Sequence, residues 1–338
     1  MNLHSWAATL SLAMPALVMA APVYHVTDVA PYVIEPVSVS INAAGQVSGS
    51  GVHEGQQRAF RFDDGVLIWL ARIGSSDASS AISRRGEVIG SCIAAKPNKP
   101  SYSGCTWRRD GSQARVHAIG KSVTWLNDIN DGGDLVGTYA DGADAMTAFR
   151  RNADGTVIDL GTLGGTHAWA KAINNNRQVV GDALKANGAS FAFIHDDAGG
   201  MRDLGSLNGG GSRAYGINEA GEAVGDATTP EGATRAVLFR SGEVIDLGTL
   251  SKDGEYSTAR AINRRTQVVG WSDAAADPLA RAMIWSGGRM RALDNLLDPA
   301  TGAGWTLHKA TDINDDGQIV GIGRHHGQWR IFLLTPMP

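Results

Sequence analysis

The stretch TDINDDGQIVG, residues 311–321, decides how the chain is read. Its alternating Asp312, Asn314 and Asp316, followed by Gly317, first suggest a calcium loop. Such a loop needs a carboxylate twelve positions in, and counting from Asp312 ends on Gly323. A second partial match, Asp128-Ile129-Asn130-Asp131, fails in the same way. Asp and Asn side chains that bond nearby backbone to tighten a turn account for both stretches without a metal.

The phrase is also not unique. It recurs as SINAAGQVSG (40–49), AISRRGEVIG (81–90), DINDGGDLVG (128–137), AINNNRQVVG (172–181), GINEAGEAVG (216–225), AINRRTQVVG (261–270) and DINDDGQIVG (312–321). The anchoring residues Ile41, Ile82, Ile129, Ile173, Ile217, Ile262 and Ile313 are spaced by 41, 47, 44, 44, 45 and 51 residues. A period in the forties is the mark of propeller blades or a solenoid. Each period reads as short runs rich in Val, Ile, Phe or Trp, bounded by Gly, Asn or Asp, as in THAWAKAIN, QVVGDAL, SFAFIHD and MRDLGSL between 166 and 207. Four short strands per period and no sustained helical stripe predict an all-β, seven-bladed β-propeller of four-stranded antiparallel blades.

The phrase then acquires a mechanism. Asn bonds its own downstream backbone and Gly takes positive φ, which reverses the chain into the next strand. Arg177 and Thr266 replace that Gly in two repeats, so those turns should be slightly strained or built differently. Three residues before the Ile stand Ser38, Ser79, Leu126, Ala170, Ala214, Ala259 and Ala310. One before it stand Ser40, Ala81, Asp128, Ala172, Gly216, Ala261 and Asp312. Alternate residues share a strand face, and this mostly small set marks the crowded innermost strand. The last repeat stops one strand short, while VYHVTDVA (23–30) precedes the first phrase with nothing to pair. The two ends are therefore expected to share one blade and close the ring.

Bulk properties bound the function. The 338 residues carry a net charge of −4, with Gly 43 and charged residues at 19%. That describes one turn-rich globular domain over 21–338 and gives no basic field for nucleic acid. Residues 1–20 lack Asp, Glu, Lys and Arg and end in Val18-Met19-Ala20, which reads as a secretory signal peptide. No later segment is apolar enough to span a membrane, and a secreted or periplasmic monomer is expected. In an oxidising compartment the two cysteines, Cys92 and Cys105, are expected to form a disulfide across a hairpin.

The combination of AxxIN followed by GQVVG, the AF pair on the third strand and DLGTLGG (159–165) resembles the HAF-repeat family of extracellular bacterial proteins. The resemblance covers roughly residues 25–335 and implies export and a repeat fold, with little about activity. The His of the family's name is missing here, where the triplets are RAF (58–60), TAF (147–149) and FAF (191–193).

Catalytic signatures are absent. There is no nucleophile elbow and no His-Glu-x-x-His, and LNGGGSR (207–213) opens no helix. The adjacent His325 and His326 point to opposite faces of a strand and make no ligand pair, so neither metal nor cofactor is expected. Variation between repeats is more informative. Four residues before the Ile stand Trp125, Trp169, Arg213 and Lys309, and two before it stand Asn127, Lys171, Tyr215 and Arg260, with His167, Tyr256 and Trp305 leading in. Aromatic faces beside cations at one mouth of the channel suit sugars or anionic glycans. The expectation is a binding or scaffolding module for carbohydrate or another envelope ligand. A propeller hydrolase or lyase, or a structural envelope protein, are the alternatives.

Overall fold

The computed structural model describes residues 23–338 apart from 31–33, 95–100, 118, 120–122, 141–144 and 275–276. The signal segment at 1–20 lies outside the described residues. Seven four-stranded antiparallel sheets form the blades of a propeller. Their inner strands are Ile34–Ile41, Asp77–Ile82, Val123–Ile129, Gly164–Ile173, Ser212–Ile217, Ser257–Ile262 and Trp305–Ile313. Six blades run outward in chain order. The seventh takes three strands from the C-terminal end and its outermost strand, Tyr24–Asp28, from the beginning of the described chain. Tyr24 lies opposite Pro336 and Asp28 opposite Phe332, antiparallel, which is the shared blade expected from the sequence. The longest spacing, before blade seven, holds short helical turns at Leu293–Leu296 and Pro299–Gly302 that sequence reasoning missed. They fasten the latch strand: Asp298 N–H donates to the Tyr24 carbonyl at 2.8 Å, and Val26 N–H to Thr301 Oγ1 at 3.2 Å.

Small residues let the blades converge. Ala170, Ala214, Ala259 and Ala310 on the inner strands are fully buried, as are Ala148, Ala192, Ala236 and Ala282 on the third strands. Leu126 breaks the small-residue pattern and is also fully buried. The blade beside it carries Gly104, where an added Cβ would stand 2.6 Å from Leu126 Cγ, so a large residue is matched by a missing one.

The expectation that the positions one and three before the Ile share a face is corrected. In six blades the register slips between them, at Ser79/Ala81, Leu126/Asp128, Ala170/Ala172, Ala214/Gly216, Ala259/Ala261 and Ala310/Asp312. Each slip is a β-bulge that sets two residues against one. In these six blades the residue three before the Ile stays buried between blades, while the two that follow it line the channel. The final Gly of the phrase permits this. At Gly137, Gly181, Gly225 and Gly321 a Cβ would stand 1.9, 1.9, 1.8 and 2.0 Å from the carbonyl oxygens of Trp125, Trp169, Arg213 and Lys309. Blade one has no such slip, and a Cβ on its Gly49 would meet the Phe60 ring instead.

The Asn of the phrase closes its own turn as expected: Asn42 Oδ1, for instance, accepts Gln46 N–H at 2.9 Å. Its amide also reaches the next blade. Nδ2 donates from Asn42 to the Ser83 carbonyl at 2.8 Å, Asn130 to Asn174 at 3.3 Å and Asn174 to Asn218 at 3.0 Å. The series continues from Asn218 to Asn263 at 3.2 Å, Asn263 to Asn314 at 3.1 Å and Asn314 back to Asn42 at 3.1 Å. Only Ser83, in blade two, lacks the amide that would extend the belt to Asn130. Arg177 and Thr266 adopt the left-handed conformation of the Gly they replace, with φ of 60° and 55°, so those turns are strained and not rebuilt. Each bonds an acid of the preceding blade, Arg177 Nε to Asp134 Oδ2 and Thr266 Oγ1 to Glu222 Oε2, both at 2.8 Å.

Cys92 and Cys105 form the disulfide, with Cα atoms 6.0 Å apart. The two are not directly opposed. Cys92 pairs with Ser103 and Cys105 with Gly90, so the bond crosses the hairpin diagonally.

Candidate ligand site in the channel

The bulges give the channel its chemistry. A bulged residue has no partner across the ladder, and its side chain is directed at the axis. The bulged Ser80, Asn127, Lys171, Tyr215, Arg260 and Thr311, with Val39 from blade one, which lacks this bulge, line a cavity of about 320 Å³, together with the residues that follow them. One arc is thus inert and hydroxyl-bearing, and the other carries Lys171, Tyr215 and Arg260.

Those three sit among buried acids. Asp182 and Asp226, on the second strands of blades four and five, are buried, and burial raises both carboxyls above their ordinary range. Lys171 is lowered by burial, an effect that Asp182 opposes. Burial lifts the Tyr215 phenol to about 12, with Asp226 adding to the shift. The Arg260 guanidinium stacks 4.1 Å above the Tyr215 ring and 5.5 Å from Trp271, which also receives Lys309 Nζ at 5.2 Å. Tyr215, Arg260, Trp271 and Lys309 therefore make a ladder of alternating ring and cation across blades five to seven.

Two acids occupy the channel wall lower down. Asp128 accepts Ile129 N–H at 2.8 Å and, from the next blade, Ile173 N–H at 2.9 Å. Asp312 accepts Ile41 N–H at 2.9 Å and the Ser40 hydroxyl at 2.7 Å from blade one. Burial raises both carboxyls. For Asp128 it outweighs the two N–H bonds, the charge of Asp312 adds to it, and the group reaches about 7.

The residues singled out from the sequence divide accordingly. Lys171, Tyr215 and Arg260 meet in the cavity, with Lys309 joined through Trp271. Arg213 is exposed and pairs along its sheet with Asp226. Trp125 and Trp169 lie half-buried outside the cavity lining, 6.0 Å from Tyr102 and 5.5 Å from His167. Trp305 stacks on His325 at 4.8 Å and packs on the blade-seven core, away from the others. Sequence reasoning missed Trp271, Asp182 and Asp226, which share the second-strand position just after the final Gly of the phrase. The signal was that this position also varies from repeat to repeat.

No family model matches the chain, and no curated protein matches it. Solved propellers do. The β-propeller domain of the Trilobed protease from Pyrococcus furiosus aligns over 89% of this chain and 95% of its own, with a TM-score of 0.59 and 9% identity. Virginiamycin B lyase from Staphylococcus aureus aligns over 93% and 99%, with a TM-score of 0.54 and 11% identity. A puromycin-hydrolyzing peptidase of Mycobacterium tuberculosis aligns over 86% of this chain and 47% of its own, with a TM-score of 0.53 and 13% identity. At such identities the likeness establishes the fold alone. No helix among the described residues is long and apolar enough to cross a membrane.

Proposed function

We propose that the chain is an exported binding module for an acidic carbohydrate, held at the mouth where the inner strands begin. One observation carries the reading: the bulges bring Lys171, Tyr215 and Arg260 into a single cavity, continued by Trp271 and Lys309. A guanidinium lying over an aromatic ring keeps N–H groups at its edge free for a carboxylate, while neighbouring rings stack on sugar faces. The half-buried Trp125 and Trp169 with the exposed Tyr102 extend the aromatic arc across blades two to four. Export is supported by the disulfide, which persists in oxidising compartments. The likeness to HAF-repeat proteins points the same way.

The test is a glycan array with the mature chain, repeated with Arg260→Ala, Lys171→Ala and the Trp125→Ala/Trp169→Ala pair. Uronic or sialic ligands should bind, with at least a tenfold loss on removing Arg260, the size of one charge-assisted contact. Equal binding by all variants, or none by the wild type, removes the reading. A hydrolase or lyase acting in the same channel draws on one observation, that Asp128 and Asp312 face the cavity and Asp128 is held near 7. Against it, both Asp128 oxygens are committed to backbone N–H groups. Cleavage of a bound glycan, abolished by Asp128→Asn with binding retained, would select this alternative.

A further inference from the structure

Equivalent seams of the ring differ at a site unrelated to the channel. On the third strand of blade three, Arg150 is 1% exposed and fully answered. Its Nη2 meets Asp197 Oδ1 of blade four at 2.7 Å, Nε donates to Asn152 Oδ1 at 3.0 Å, and Nη1 to the Arg177 carbonyl at 3.3 Å. Arg61 holds the same place on blade one, opposite Ser48 as Arg150 is opposite Val136, and is 6% exposed. In blade two the position equivalent to Asp197 is Arg109: each lies two residues after the strand partner, Trp107 of Val88 or His195 of Val179. A buried guanidinium that meets a carboxylate in one seam therefore meets a second cation in the other.

The surroundings do not supply a substitute. Arg61 Nε and Nη1 are buried without an acceptor among the described residues. Asp63, which stands where Asn152 serves Arg150, accepts Gln46 Nε2 at 2.7 Å. Asp110 is exposed and accepts Ser112 N–H at 2.9 Å. Arg61, Arg108, Arg109 and Asp110 line a shallow pocket of about 460 Å³, with Arg61 the buried member and the rest exposed. A buried cation without a counter-charge is costly, and guanidinium forks match the oxygens of phosphate and sulfate. A carboxylate presents two oxygens in one plane to such forks, whereas a tetrahedral dianion presents oxygens in several directions and can face three of them.

We propose that the seam between blades one and two binds a tetrahedral oxyanion, a phosphate or sulfate group, with Arg61 as its floor and Arg108 and Arg109 at its sides. The experiment is thermal unfolding of the mature chain in millimolar inorganic phosphate or sulfate against chloride of equal ionic strength. Wild type should gain a few degrees from either oxyanion, the linkage expected of a ligand for the folded state. Arg109→Asp recreates the Arg150–Asp197 pair: it should melt higher than wild type in chloride and lose the oxyanion response. Arg61→Met should lose the response as well. A sulfated disaccharide run beside inorganic sulfate separates an ester group from a free ion, and a response to either supports the site. No oxyanion response in wild type, or an equal response in Arg109→Asp from general salting effects, overturns it.

Discussion

Asn174 and its counterparts show how one side chain serves two structures. Its Oδ1 accepts Gln178 N–H within the turn, and its Nδ2 is shared between Gln178 Oε1 and the Asn218 carbonyl of the next blade. Asn218→Ala leaves buried groups unanswered on both sides, and chemical denaturation should register a loss of about 2–4 kcal/mol. Ser83→Asn should gain about 1 kcal/mol by the same measurement, because it supplies the missing donor toward Asn130. Asp128 gives a pH signature. Folded, its carboxyl titrates at about 7 against an ordinary 3.8, so between these values the native chain holds a proton that the unfolded chain releases. Stability from this group is therefore present below pH 4, falls as pH rises toward 7, and levels off above it. His117, lowered by burial to about 4, acts in the opposite sense. It is common to wild type and Asp128→Asn and drops out of their difference in Tm, which should move against wild type from pH 4 to 7. At this scale the sequence showed the turn role of Asn plainly. The bond to the next blade was invisible, because its acceptor lies 41 to 51 residues away in the chain and 272 in the case of Asn314.

Among elements, the strands were legible because their borders are written in Gly, Asn and Asp, and the shared blade because both chain ends held an unpaired strand. The bulges were not legible. Their cause sits on the second strand, where the final Gly makes room for a carbonyl of the first, and no periodicity on the inner strand reveals it. Missing the bulge misassigned the face of Asp128 and Asp312, although Lys171, Tyr215 and Arg260 were still placed at the channel. The latch should be measurable. Tyr24 is fully buried beneath the Pro299–Gly302 turn, and Tyr24→Ala should cost about 3–5 kcal/mol in denaturant unfolding. The blade-two brace is separable from it. Replacing Cys92 and Cys105 together by Ala should cost about 3 kcal/mol, the loop-closure figure for a short loop, with the fold retained by circular dichroism.

Across the whole molecule, polar chemistry is unevenly distributed around a repeating backbone. Blades four to seven bring the cations of the channel, blades two to four bring the exposed Tyr102 and the half-buried Trp125 and Trp169, and the seam between blades one and two carries an uncompensated arginine. The count and closure of the ring followed from arithmetic on the sequence. The distribution did not, since which residues meet across an axis depends on three-dimensional order. The amide belt has a further property. Every donor in it points the same way round, so the series has a start, at Asn130, and a finish, at the carbonyl of Ser83. The molecule is thus a split washer held shut at one cut by apolar packing and the exposed Arg84–Asp131 pair at 3.9 Å, and the blade beside that cut is the one cross-linked through sulfur. Thermal breathing of such a washer begins at the cut, and backbone amides from Leu126 to Asn130 should exchange with deuterium faster than their equivalents in the other six blades.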